Sequence, residues 1–207
     1  MIFKTISDKF GWMVPDFDFS DHPLMKNQRS SLEGKISLAA SFLCLPYIYL
    51  HELSHAIAMK ILCDCNPEIH LYLNGGGVTR NKRDYSEIGK LLGKRCSQII
   101  YASAGVVGTN VSFAIIDAAL GHFLGPTFTA MRMGFIAGDI SYAFNALLGR
   151  KVTEHRAHND FASLNKRGIH PLIPLSLLCA LEIHTIASFL LAVNASKNDE
   201  SLTPVGH

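Results

Sequence analysis

The chain reads as an all-α membrane protein with about four transmembrane helices and a small β-hairpin between the first and second. Three observations lead there. Hydrophobic residues make up 48% of the 207 residues and charged residues only 17%, below the roughly 25% charge of an ordinary soluble domain. The apolar residues are clumped into long blocks, where a soluble helix would interleave them with polar residues along one face. One polar connection alternates with period two before an Asn-Gly pair, the signature of strands joined by a tight turn.

The length fits one domain with no internal repeat: a tail over residues 1–34, a membrane-embedded unit over 35–194 and a polar tail over 195–207. In the first tail, Phe3, Ile6, Phe10, Trp12 and Met13 could lie at a membrane surface, although a loosely packed arm is the commoner fate of such a segment. Its acids are spread throughout and it lacks a continuous apolar stretch, unlike a cleavable signal. The first expected span, 36–62, reads ISLAASFLCLPYIYLHELSHAIAMKIL, long enough to cross about 30 Å of hydrocarbon with tilt. Further spans are expected over 99–120, 128–148 and 172–193. Between the first two, Ile69, Leu71 and Leu73 alternate with His70 and Tyr72 ahead of Asn74-Gly75, which predicts the hairpin.

Lys and Arg number six between residues 64 and 97 and five between 149 and 170, with none in the short link after the second span. The positive-inside tendency then places the first and third connections in the cytoplasm, while basic residues in the N-terminal tail pull the other way. A net charge of +2 without a dense basic stretch excludes nucleic acid as a partner. The cysteines (Cys44, Cys63, Cys65, Cys96, Cys179) are odd in number and form no C-x-x-C pair, which suits reduced thiols. Cys63 and Cys65 with His70 are a lesser candidate for holding a metal.

The chemistry concentrates in His51-Glu52-Leu53-Ser54-His55, an H-E-x-x-H motif within the first span. Helix residues four apart are rotated by about 40° and separated by about 6 Å, so both imidazoles share a face and can grip one ion. Zinc accepts imidazole nitrogen at about 2.0–2.1 Å, and a catalytic site keeps a position open for water. Glu52 then serves as general base in peptide hydrolysis. Two histidines and a glutamate in an otherwise apolar span are costly to bury, which itself marks a functional site. A polar cluster that merely bonds helices together is the bland alternative.

An H-E-x-x-H set inside a membrane span resembles the site-2 protease family of intramembrane zinc metallopeptidases. Ser103-Ala104-Gly105-Val106-Val107-Gly108-Thr109-Asn110 is similar to that family's Ala-Gly-Pro segment, with Val106 in place of proline and Asn110 one place late, while Gly105 and Gly108 also suit close helix packing. Asn145-Ala146-Leu147-Leu148 looks like the family's Asn-Leu-Leu-Pro. Asn159-Asp160-Phe161 looks like its Asp-Gly segment, with Phe161 where glycine is usual. The resemblance implies one zinc ion held by His51, His55 and Asp160, with Glu52 catalytic. It also implies a membrane protein substrate in a lipid bilayer and an edge of the hairpin near residues 71–78 as the substrate clamp, a plain surface hairpin being the alternative.

Asp139, buried in the third expected span, rivals Asp160 as the third ligand. His155 and His158 are lesser candidates. Glu182 and His184 in the fourth span and Arg132 in the third are further charged or titratable groups at depth; Glu182 either pairs with Arg132 or lines a water route to the metal. The alternative function is a membrane protein that binds zinc without proteolysis, a degenerate homologue or a scaffold. Retention of Glu52 argues against it, since binding needs only the ligands.

Overall fold

The computed structural model describes residues 11–18, 32–72, 76–80, 84–148 and 159–202. The chain is mostly helical, with a small sheet: β1 (Asp16–Asp18), α1 (Leu32–Leu62), β2 (Glu68–Tyr72), β3 (Gly76–Arg80), α2 (Glu87–Leu147), α3 (Asp160–Asn165) and α4 (Leu172–Leu202) follow a short 3-10 turn at Gly11–Met13.

The long α2 is interrupted rather than straight. Gly93 and Gly125 leave helical geometry, at φ 77° and φ 63°, and Pro126 follows the second break. Positive φ strains any residue with a Cβ, so glycine permits the chain to turn at 125, and proline then opens the next helical stretch without a lost donor. The spans expected over 99–120 and 128–148 are thus the two arms of one bent element. Two stretches, Glu87–Leu120 and Leu172–Leu191, are long and apolar enough to cross a membrane. Only 28% and 11% of their apolar windows is buried, whereas a core helix of a soluble protein would be mostly buried.

The expected hairpin forms, since β2 and β3 pair antiparallel with Ile69 opposite Thr79 and Leu71 opposite Gly77. Its turn residues Asn74 and Gly75 lie outside the described residues. The sheet is larger than expected because β1 joins β2 in parallel, in the order β1-β2-β3. The described part of the N-terminal tail is therefore a docked strand and not a loose arm. Trp12 packs against the cluster of Ile48, Ala56, Ile69 and Leu71, and Tyr49 donates a hydrogen bond of 3.0 Å to the Met13 carbonyl.

Close contacts hold α2 against α1. Ser86 caps α2 by accepting from the Gly89 amide at 3.1 Å, while its hydroxyl donates to the Ile61 carbonyl at 2.7 Å. A second apolar cluster joins Ala102, Val106, Ala143 and Ala146 of α2 to Phe161 and Leu164 of α3 and Leu178 of α4. Outside these clusters the pattern is inverted: Leu43, Leu91, Ile115, Leu177, Ile183 and Leu191 are exposed, while Glu52, His55, Asp139 and Asp160 are buried.

Candidate metal centre

The H-E-x-x-H turn sits in α1 with both imidazoles on the face that meets α2. Gly105 makes that approach possible. A Cβ at this position would fall 2.4 Å from His51 Nε2 and 2.5 Å from His55 Nε2, well inside contact distance. One turn on, Gly108 covers Ser54, whose hydroxyl donates to the Leu50 carbonyl at 2.7 Å. Packing by small residues, expected for both glycines, therefore also keeps clear the space that the two Nε2 atoms face.

Asp160 completes the group from the far side. It opens α3, whose N-cap Asn159 accepts from the Ala162 amide at 3.0 Å. Phe161, standing where glycine was expected, is 1% exposed and meets Tyr142 edge-on at 5.8 Å. That ring anchors α3 in the apolar cluster and aims its neighbour Asp160 at α1. The returning segment is also tied down by Arg95, which donates to the Arg167 carbonyl at 2.9 and 3.1 Å, and by Arg167, which donates to Gln98 at 3.2 Å.

The result is a compact set of donors. Asp160 Oδ2 lies 3.0 Å from His51 Nε2 and 3.0 Å from His55 Nε2, and the two Nε2 atoms are 3.3 Å apart. Among the described residues, these three form the group that could hold a metal ion. Two physical tests agree on the fit. Donors bonded at about 2.0–2.1 Å around a tetrahedral centre sit roughly 3.3 Å from one another, close to the separations here. In addition, His55 Nδ1 lies 2.8 Å from the Tyr101 carbonyl, which can only accept, so Nδ1 carries the proton and a neutral ring turns its Nε2 lone pair toward the carboxylate. Lone pairs at such distances repel unless a cation, either a proton or a metal, lies among them. His51 Nδ1 is buried and makes no hydrogen bond among the described residues.

The electrostatics of Asp160 follow from the same neighbours. Burial alone would push its carboxyl up; where the cation among the three donors is a proton, the His55 charge and the hydrogen bonds from the imidazoles outweigh burial and hold the group down at about 2.

Glu52 lies on the same turn, 7% exposed. Its Oε2 accepts from the Thr79 hydroxyl of β3 at 2.8 Å, and the same hydroxyl lies 3.0 Å from the Glu52 carbonyl oxygen.

Asp139 is not part of the group. Its carboxylate accepts from the Tyr47 hydroxyl and, at 3.4 Å, from Asn110 Nδ2. Asn110 thereby acts on Asp139 and not on the imidazoles. His155 and His158 lie outside the described residues. His70 faces Asp16 and Glu68, each at 3.7 Å, and does not join Cys63 and Cys65 in a metal-holding group.

Arg132 makes its salt bridge with Asp117 at 3.5 Å rather than with Glu182, the expected partner, which nonetheless lies within electrostatic reach of Arg132. The physical reason is the bend at Gly125, which brings the two arms of α2 side by side so that Asp117 of the first reaches Arg132 of the second.

Thr79, Tyr101 and the steric role of Gly105 at the imidazoles were missed by sequence reasoning. For Thr79 the sequence signal pointed the wrong way. A two-residue Asn74-Gly75 turn would set Thr79 opposite outward-facing His70, whereas the observed register, one residue off, sets it opposite inward-facing Ile69 and so turns its hydroxyl to the buried side.

No known protein family, curated protein or solved structure matches the chain.

Proposed function

We propose that the protein is a multi-pass membrane zinc endopeptidase, similar to the site-2 proteases, that hydrolyses a peptide bond in a membrane-spanning or membrane-adjacent protein segment. The convergence of His51, His55 and Asp160 carries this reading, because the carboxylate arrives from a distant part of the chain at bonding distance from both imidazoles. The buried polar groups and exposed apolar belt support immersion in a bilayer, with α1 and both arms of α2 crossing beside α4.

His51, His55 and Asp160 would hold the ion, with Tyr101 fixing the tautomer of His55. When bound, zinc supplies Lewis acidity, which acidifies water and polarises the scissile carbonyl. Glu52 takes the proton from the attacking water and passes it to the leaving amine. Gly105 leaves room beside the imidazoles for a reacting group, and β3, at the edge of the sheet, supplies backbone groups along which an unwound substrate segment can pair.

The test is a pair of variants assayed on the purified, reconstituted protein. Glu52→Gln should keep zinc and lose cleavage, because the ligands remain and the base is gone; His51→Ala should lose zinc. Chelation should abolish cleavage and zinc reloading should restore it. Undiminished cleavage by Glu52→Gln, or full zinc occupancy in His51→Ala, would refute the assignment.

A further inference from the structure

The site contains a second set of contacts that the ligand geometry does not require. Thr79 belongs to β3, far in sequence from α1, yet its hydroxyl reaches Glu52 Oε2 at 2.8 Å and the Glu52 carbonyl oxygen at 3.0 Å. Both residues are buried, each 7% exposed. The backbone carbonyl of Thr79 in turn accepts from the Tyr101 hydroxyl at 3.3 Å, and the carbonyl of Tyr101 accepts from His55 Nδ1 at 2.8 Å. Glu52, Thr79, Tyr101 and His55 thus form a chain of hydrogen bonds that leaves the helical turn through the carboxylate and returns to it through an imidazole.

We propose that Thr79 is a positioning residue that holds the Glu52 carboxylate in its working orientation, so that strand β3 and the metal-facing turn of α1 act as one unit. A glutamate side chain has three rotatable torsions, and among the described residues Thr79 is the hydrogen-bond partner that orients this buried carboxylate. Thr79 leaves Oε1 of Glu52 for the water while Oε2 is held. A shift of β3, such as pairing with a substrate strand would impose, is then transmitted to the base through one side chain and to His55 through Tyr101. The inference rests on the reading of Glu52 as base, and the experiment separates the two.

The test uses the full-length protein in phosphatidylcholine vesicles, zinc content by atomic emission, and acetohydroxamate as probe. A hydroxamate chelates zinc through two oxygens and shares its remaining proton with an adjacent carboxylate, so its affinity senses where Glu52 stands without any need for a substrate. Thr79→Val, nearly isosteric but without the hydroxyl, should keep full zinc and bind the probe roughly tenfold more weakly, the scale of one hydrogen bond to a charged group. Thr79→Ser should return the affinity to that of the unaltered protein. Tyr101→Phe, which loosens β3 without touching Glu52, should weaken it by less, and this variant carries the test should Thr79→Val fail to fold. Unchanged probe affinity in Thr79→Val and Tyr101→Phe, with weaker binding in Glu52→Gln, overturns the positioning role alone. Loss of zinc in Thr79→Val, unrelieved by serine, overturns it in favour of a scaffolding role. Unchanged affinity in Glu52→Gln overturns the assignment of the base itself.

Discussion

Asp160 and Asp139 are both buried aspartates facing the same side of α1, one turn apart, and their surroundings give them different work. Asp139 meets neutral donors: the Tyr47 phenol and the Asn110 amide both bring a proton to its oxygens. Its charge is satisfied locally, and the contact joins α1 to both arms of α2. Asp160 meets two imidazoles, one of which has committed its Nδ1 proton to a backbone carbonyl. That ring turns a lone pair toward the carboxylate, so a proton on His51 or a metal ion has to lie among the three donors. Burial alone therefore does not make a carboxylate a ligand; the proton inventory of its neighbours does.

Substitutions test this contrast directly. The largest effect is expected for Asp160→Ala, which should lower zinc affinity by more than the roughly 10–100-fold that removal of an outer partner costs, and should abolish turnover. Asp139→Ala should leave zinc stoichiometry intact; equal loss of zinc in both variants, read by atomic emission, would erase the distinction. Gly105→Ala should come next, with zinc occupancy falling sharply because the added Cβ meets both Nε2 atoms at 2.4 and 2.5 Å. Normal occupancy in that variant would show that α2 can back away from α1. Phe161→Ala, which removes the anchor of α3, should destabilise by about 3–5 kcal/mol and weaken zinc binding although no ligand is altered. A thermal melt with and without added zinc would read both. The smallest effect belongs to Tyr47→Phe, which should cost about 0.6–1.7 kcal/mol, the range for hydrogen bonds between membrane helices, with zinc content unchanged in the same melt.

Much of the site was legible because its central part is local. His51, Glu52 and His55 lie within one helical turn, so spacing alone puts both imidazoles on one face. The hairpin was legible for the same reason, since alternation and an Asn-Gly turn are short-range signals. The choice between Asp160 and Asp139 was not, because both can approach α1 and only the packing of Phe161 among α2 and α4 residues selects which carboxylate faces the imidazoles. The same applies to β1, whose three residues carry no alternation long enough to read and become a strand only by pairing with β2.

Residue spacing over a few positions is enough to specify the helical turn that offers two imidazoles and a carboxylate, the paired strands beside it and the apolar stretches around it. That Asp160 joins the imidazoles, that Thr79 grips Glu52, that Gly105 clears the space between helices and that Arg132 turns to Asp117 follow only from how the helices and the sheet pack together. These contacts link residues 15 to 109 positions apart. At such separations chain geometry sets no distance, and the packing of whole helices does.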